Sequence, residues 1–157
     1  MDVFPLKAIF FDLGDTLVRK VPGTTRREWI EGVKEGLVQL GEKGVRLGLL
    51  SNTGNLTRSE LFDDLLPLDF KTDMFEEELI ILSSEVGVVK PRLGIFAHAV
   101  DRAGLAPVEC LFCTEELSHV LAAQEIGMRA AWVQSGGIKR LADKLIEADP
   151  PLLVESG

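Results

Sequence analysis

The sequence predicts an α/β fold, a doubly wound three-layer sandwich built on a mostly parallel five-stranded sheet. Three observations carry that expectation. Short apolar runs recur at residues 7–13, 45–51, 79–84, 110–113 and 130–133. Amphipathic stretches of helical period separate them, and the connections are short. Fully apolar runs of this length read as strands buried on both faces, and strand–helix alternation gives a parallel sheet with helices on each side.

Taken in order, the first run, KAIFFDL, ends on an acid, Asp12. Trp29, Ile30, Val33, Leu37 and Leu40 then recur at helical intervals with Gly44 as a stop, which predicts one amphipathic helix across 29–40. After the strand VRLGLLS, a second helix is expected from about Thr57 to Leu66. Ile95, Phe96, Ala99 and Val100 form the inner face of a third, ending near Gly104, and Leu117 to Ile126 makes a fourth, ending at Gly127. Residues 1–137 are read as the core domain. Residues 138–157 are read as a peripheral helix, KRLADKLIEA at 139–148, and a tail containing Pro150 and Pro151.

At 157 residues the chain is the size of one domain. With 17 Lys and Arg against 25 Asp and Glu its net charge is −8. The mean field therefore repels polyanions and anionic lipid, and nucleic acid and membranes are not expected partners. Asp2, Lys7 and Asp12 interrupt the apolar continuity a signal peptide needs, so a cytoplasmic location is expected. The two cysteines, Cys110 and Cys113, form a CxxC inside an apolar strand-like run. Buried, reduced, metal-free thiols are the expectation there.

In an open parallel sheet, functional groups gather at the carboxyl ends of the strands. Asp12 lies there, followed by Gly14, Asp15 and Thr16; Ser51 and Asn52 close the second strand; Lys90 precedes Pro91 and a helix carrying Ile95 and Phe96; Glu115 and Glu116 follow the fourth strand. A carboxylate at such an edge can act as a nucleophile and a metal ligand together. Taken singly, Asp12 also fits a turn cap, Glu115 with Glu116 a solvated acidic loop, and His119 a surface residue.

The order and spacing of these residues resemble the haloacid dehalogenase-like hydrolase superfamily. The match covers about residues 5–135. Asp12 and Thr16 match the first Asp and the Thr of its DxDxT, Ser51 its strand-end Ser or Thr, and Lys90 its Lys-Pro. Two motifs are altered. Gly14 stands at the general acid/base Asp. In the fourth motif Thr114 and Glu115 replace Gly-Asp and His119 replaces the second Asp.

The resemblance implies a phosphatase working through an aspartyl-phosphate on Asp12. Ser51, Asn52 and Lys90 would bind the phosphoryl group, and Mg2+ would be held by Asp12, the Gly14 carbonyl and Glu115. Without an acid at position 14, acyl and aryl phosphates are the expected substrates. The competing expectation is a catalytically lapsed module that binds a phosphorylated ligand or a protein partner. Asp12, Ser51 and Lys90 follow one another at intervals of 39 residues, a length used up by strand–helix units. No cap domain is therefore expected, and the open site implies a macromolecular substrate or a second copy of the chain as its cover.

Overall fold

In the computed structural model, residues 5–70, 72–134, 137–148 and 151–153 are described. Five parallel strands form the sheet: β1 (Ala8–Phe11), β4 (Arg46–Ser51), β5 (Ile80–Leu82), β6 (Cys110–Thr114) and β7 (Arg129–Trp132), in the spatial order β5-β4-β1-β6-β7. A two-stranded antiparallel hairpin, β2 (Val18–Lys20) and β3 (Arg27–Trp29), stands apart from it. The helices are α1 (Val33–Glu42), α2 (Arg58–Leu65), the short α3 (Ser83–Val86), α4 (Leu93–Ala103), α5 (Leu117–Glu125) and α6 (Gly137–Glu147).

β1 is central, paired to β4 through Ala8↔Arg46 to Phe11↔Leu49 and to β6 through Ala8↔Cys110 to Phe11↔Cys113. All four of its residues are buried because alternate side chains enter opposite layers. Ile9 and Phe11 join Leu47, Leu49, Leu111 and Cys113 in a core against α1, α2 and α6. Ala8 and Phe10 join Leu50, Cys110 and Phe112 in a second core against α4 and α5. Cys110 and Cys113 thus lie on opposite faces of the sheet as free, buried thiols, both held above their ordinary pKa by burial, Cys110 to about 11.

The capping of α2 is encoded locally. Thr57 accepts the Glu60 N–H while the Glu60 carboxylate accepts the Thr57 N–H, each at 3.1 Å. Gly104, in the left-handed region, ends α4. α6 packs along α1, where Gly36 leaves room for Ile138: a Cβ there would meet Ile138 Cγ2 at 3.3 Å. Leu6 donates to the Leu152 carbonyl at 2.6 Å, bringing the chain back beside the start of β1. Among the described residues no helix is long and apolar enough to cross a membrane.

One expected element differs. The helix predicted from Trp29 begins only at Val33, after Gly32 in the left-handed region (φ 80). Trp29 belongs instead to β3, where its indole N–H donates to the Leu68 carbonyl at 2.9 Å and its ring stacks on Phe70 at 5.0 Å. Its apolar spacing matched the helix, but its tertiary partners hold it in the hairpin.

Candidate active site

Parallel pairing with β4 and β6 brings the carboxyl ends of three strands together, and with them Asp12, Ser51 and Thr114. The first residue beyond β1, Asp12 is anchored by its N–H to the Cys113 carbonyl at 3.0 Å. Its carboxylate is largely buried. Oδ1 accepts from the Leu13 N–H at 2.9 Å and from Lys90 Nζ at 2.7 Å. Oδ2 accepts from the Thr114 hydroxyl at 3.1 Å.

Lys90 reaches this point from the far side of β4. Its side chain is only 1% exposed, and its ammonium also donates to the Leu50 carbonyl at 2.7 Å and lies 5.4 Å from the centre of the Phe112 ring. Burial pulls its pKa down, and the Asp12 carboxylate opposes that pull. An ammonium carries three N–H donors; two are engaged here, leaving one for a ligand oxygen.

The Asn52 side chain, expected to bind substrate, is turned onto the Lys90 backbone. Its amide donates to the Lys90 carbonyl at 3.1 Å and its oxygen accepts the Lys90 N–H at 2.8 Å. Asn52 thereby fixes the strand-end lysine. The Ser51 hydroxyl, by contrast, has no protein partner among the described residues. Ser51 lines a cleft of about 510 Å³ with Gly14, Asp15, Lys20, Arg27 and Asn52.

Thr16, buried, accepts the Glu115 N–H at 3.1 Å and so ties the loop after β1 to the loop after β6. On the outer side the Trp132 indole N–H holds the Glu115 carbonyl at 2.7 Å. Burial raises the Glu115 pKa, and Glu116, Asp15 and Asp12 raise it further. His119, half-buried, is held below its ordinary value by burial and by Lys90, with Asp12 and Glu116 opposing; its Nδ1 is buried without a hydrogen-bond partner among the described residues. Gly14 faces the cleft with room to spare, since a Cβ on it would meet nothing within 4 Å.

Sequence reasoning missed Thr114 as a donor to Asp12 and Trp132 as a clamp on Glu115. A hydroxyl 102 residues from its acceptor leaves no local signal. Trp132 is 53% exposed, and an exposed Trp at a strand end could have pointed to a polar role.

A family model described as haloacid dehalogenase-like hydrolase matches residues 9–133. A glyceraldehyde 3-phosphate phosphatase of Pyrococcus abyssi is 31% identical over 108 residues, 68% of this chain and 43% of that protein. Another of that name, from Methanothermobacter thermautotrophicus, is 31% identical over 120 residues, 76% of this chain and 46% of that protein. The chain thus spans less than half the length of either. In fold it is similar to a Had-superfamily hydrolase from Ehrlichia chaffeensis, with TM-score 0.69 at 15% identity over 93% of this chain and 100% of that one.

Proposed function

Because the chain belongs to the haloacid dehalogenase-like hydrolase family, we propose that it is a phosphatase acting through a covalent phosphoryl group on Asp12. The observation that carries this reading is the buried Asp12–Lys90 pair at the carboxyl edge of the central strand, with Ser51 and Gly14 opening beside it onto a cleft. Burying a charged pair has a desolvation cost that structure alone seldom repays, and such pairs concentrate at functional sites.

In the proposed reaction the Asp12 carboxylate attacks phosphorus while the bond to the leaving oxygen breaks. The third N–H of Lys90 and the Ser51 hydroxyl hold phosphoryl oxygens. Water then attacks phosphorus and gives up a proton to solvent, the bond to Asp12 breaks, and phosphate leaves with the carboxylate restored. Gly14 offers no side chain to protonate the departing oxygen. A positioned acid contributes about 10²–10⁴-fold, so substrates whose leaving groups depart unprotonated, acyl and aryl phosphates, are favoured.

The donor set fits a hard divalent cation such as Mg2+. Asp12, the Gly14 carbonyl and Glu115 are all oxygen donors, and Glu115 is repelled by the other acids in the way a cation would relieve. The set is sparse, for no three His, Cys, Asp or Glu side chains cluster as a metal site among the described residues. When bound, the ion would neutralise charge on the phosphoryl oxygens.

A purified-protein assay with acetyl phosphate and an aryl phosphate at millimolar Mg2+ tests the reading. We expect phosphate release by the wild type, acid-stable phosphate label on the protein, and loss of both in Asp12→Asn. Gly14→Asp, which the space at Gly14 accommodates, should raise turnover of alkyl phosphates. A second reading, a lapsed module that binds a phosphorylated ligand, draws on the Thr114 hydroxyl occupying Asp12 Oδ2. It prevails if inorganic phosphate raises the melting temperature while no substrate turns over. In either reading we propose that a macromolecular substrate or a second copy of the chain covers the open site.

A further inference from the structure

The hairpin of β2 and β3 carries an arrangement that the phosphoryl chemistry at Asp12 does not use. Its strands pair Arg19 with Glu28 and Lys20 with Arg27. The first rung is complementary, an ion pair at 2.8 Å. The second sets two cations directly opposite one another, a placement that destabilises a sheet. Neither Lys20 nor Arg27 has a side-chain partner among the described residues, and the neighbouring Arg26 has none. Asp63 and Asp64 share the adjoining groove with these cations, yet neither forms an ion pair with them.

The hairpin is also held in place. Val18 is buried, the Ile30 N–H donates to the Leu17 carbonyl at 2.9 Å, and the Trp29 indole is bonded to Leu68. By strand alternation Lys20 lies on the face of Val18 and Arg27 on that of Trp29. Both cations line the same 510 Å³ cleft as Gly14, Ser51 and Asn52. A chain of net charge −8 therefore holds over the mouth of its candidate active site a cationic rung that forms no ion pair among the described residues, with Asp15 the one acid lining the same cleft.

We propose that Lys20 and Arg27 form a subsite for a second anionic group, phosphate or carboxylate, on a small substrate whose phosphoryl group is held at Asp12, which selects a second copy of the chain over a macromolecular substrate as the cover of the site. The proposal rests on the phosphoryl-transfer reading of that site. The cleft volume is in the range of small-molecule sites. The guanidinium of Arg27 offers a planar fork to a phosphate or carboxylate, and Lys20 adds a point charge. A bound anion would offset the repulsion between the two facing cations, which adds to the affinity of the subsite.

The test is calorimetric titration of the full chain at fixed ionic strength and fixed free Mg2+. The probes are propylphosphonate, a series of α,ω-bisphosphonates from propane to hexane, and the matching phosphonocarboxylates. We expect the best bisphosphonate to bind at least tenfold more tightly than propylphosphonate, and Lys20→Ala/Arg27→Ala to cut that ratio below threefold. Lys20→Arg should retain it. The double variant should melt no lower than the wild type, because it removes a repulsive rung. Phosphonocarboxylates matching the bisphosphonates would make carboxylate an accepted second anion; phosphonocarboxylates matching propylphosphonate would restrict the subsite to phosphate. A ratio near one in the wild type, or a ratio that survives the double substitution, overturns the subsite and leaves the Asp12 site standing. If no phosphonate binds at all, the phosphoryl site itself is refuted and the subsite falls with it.

Discussion

Under the proposed reading, Glu115 is the residue on which metal binding would turn. Its folded pKa is raised, so its protonated form is favoured by folding. The stability it contributes is complete below the unfolded glutamate value of about 4.3 and is lost as pH rises through the folded value. Above the folded value Glu115 therefore destabilises the metal-free protein relative to a neutral side chain, and the melting temperature of Glu115→Gln should gain on that of the wild type as pH rises from 4. Millimolar Mg2+ should stabilise the wild type by mass action and Glu115→Gln far less. If Mg2+ shifts both melting curves equally, Glu115 is a solvated acid and not a ligand. How much of this site could be read from sequence varies by residue. Asp12 and Lys90 meet as expected from their order along the chain. Asn52 is expected from sequence to bind substrate, but its amide atoms hold the Lys90 backbone, because residue order says where a side chain starts and not which way it turns.

At the scale of elements, β1, β4, β5, β6 and most helices are legible because each carries its burial pattern in consecutive residues, as in AIFF of β1 and CLFCT of β6, whereas the edge strand β7, expected to be buried, is half-buried at Arg129 to Ala131 and exposed at Trp132. The β2–β3 hairpin is not legible. Its strands are three residues each, too short for alternation to register, and Trp29 and Ile30 fall in phase with the helix that follows. The C-terminal helix is a different case. α6 buries Ile138, Ala142 and Leu145 against the same core as β1 and α1. If that packing belongs to the cooperative unit, Ile138→Ala should lower global stability by about 2–5 kcal/mol. Urea unfolding followed by far-ultraviolet circular dichroism and by Trp fluorescence should then give one coincident transition. An early, separate loss of helix signal with the main transition unmoved would make residues 138–157 an appendage.

The molecule as a whole sets up a conflict between its net charge and its site. A net charge of −8 on a body whose radius of gyration is about 15 Å, taken as the distance to a ligand entering the cleft, gives in water a repulsion of about 2 kcal/mol per unit of negative charge on that ligand. Screening weakens it unevenly. With a Debye length of about 30 Å at 0.01 M and about 8 Å at 0.15 M, roughly 1.5 and 0.8 kcal/mol remain. Lys20 and Arg27 act in the opposite direction, but they act locally, at the cleft that they line. For acetyl phosphate, which carries no second anionic group to seat between them, the field of the whole chain should dominate. Raising ionic strength from 0.01 to 0.15 M at fixed free Mg2+ should therefore raise its kcat/KM by roughly threefold or more, since that ratio reports the transition state against free enzyme and substrate. The rise should be smaller for a substrate with a second anion, whose contact with the hairpin is screened by the same salt. A kcat/KM that falls steeply with salt for acetyl phosphate would show that the two unpaired cations outweigh the chain's net charge at the site.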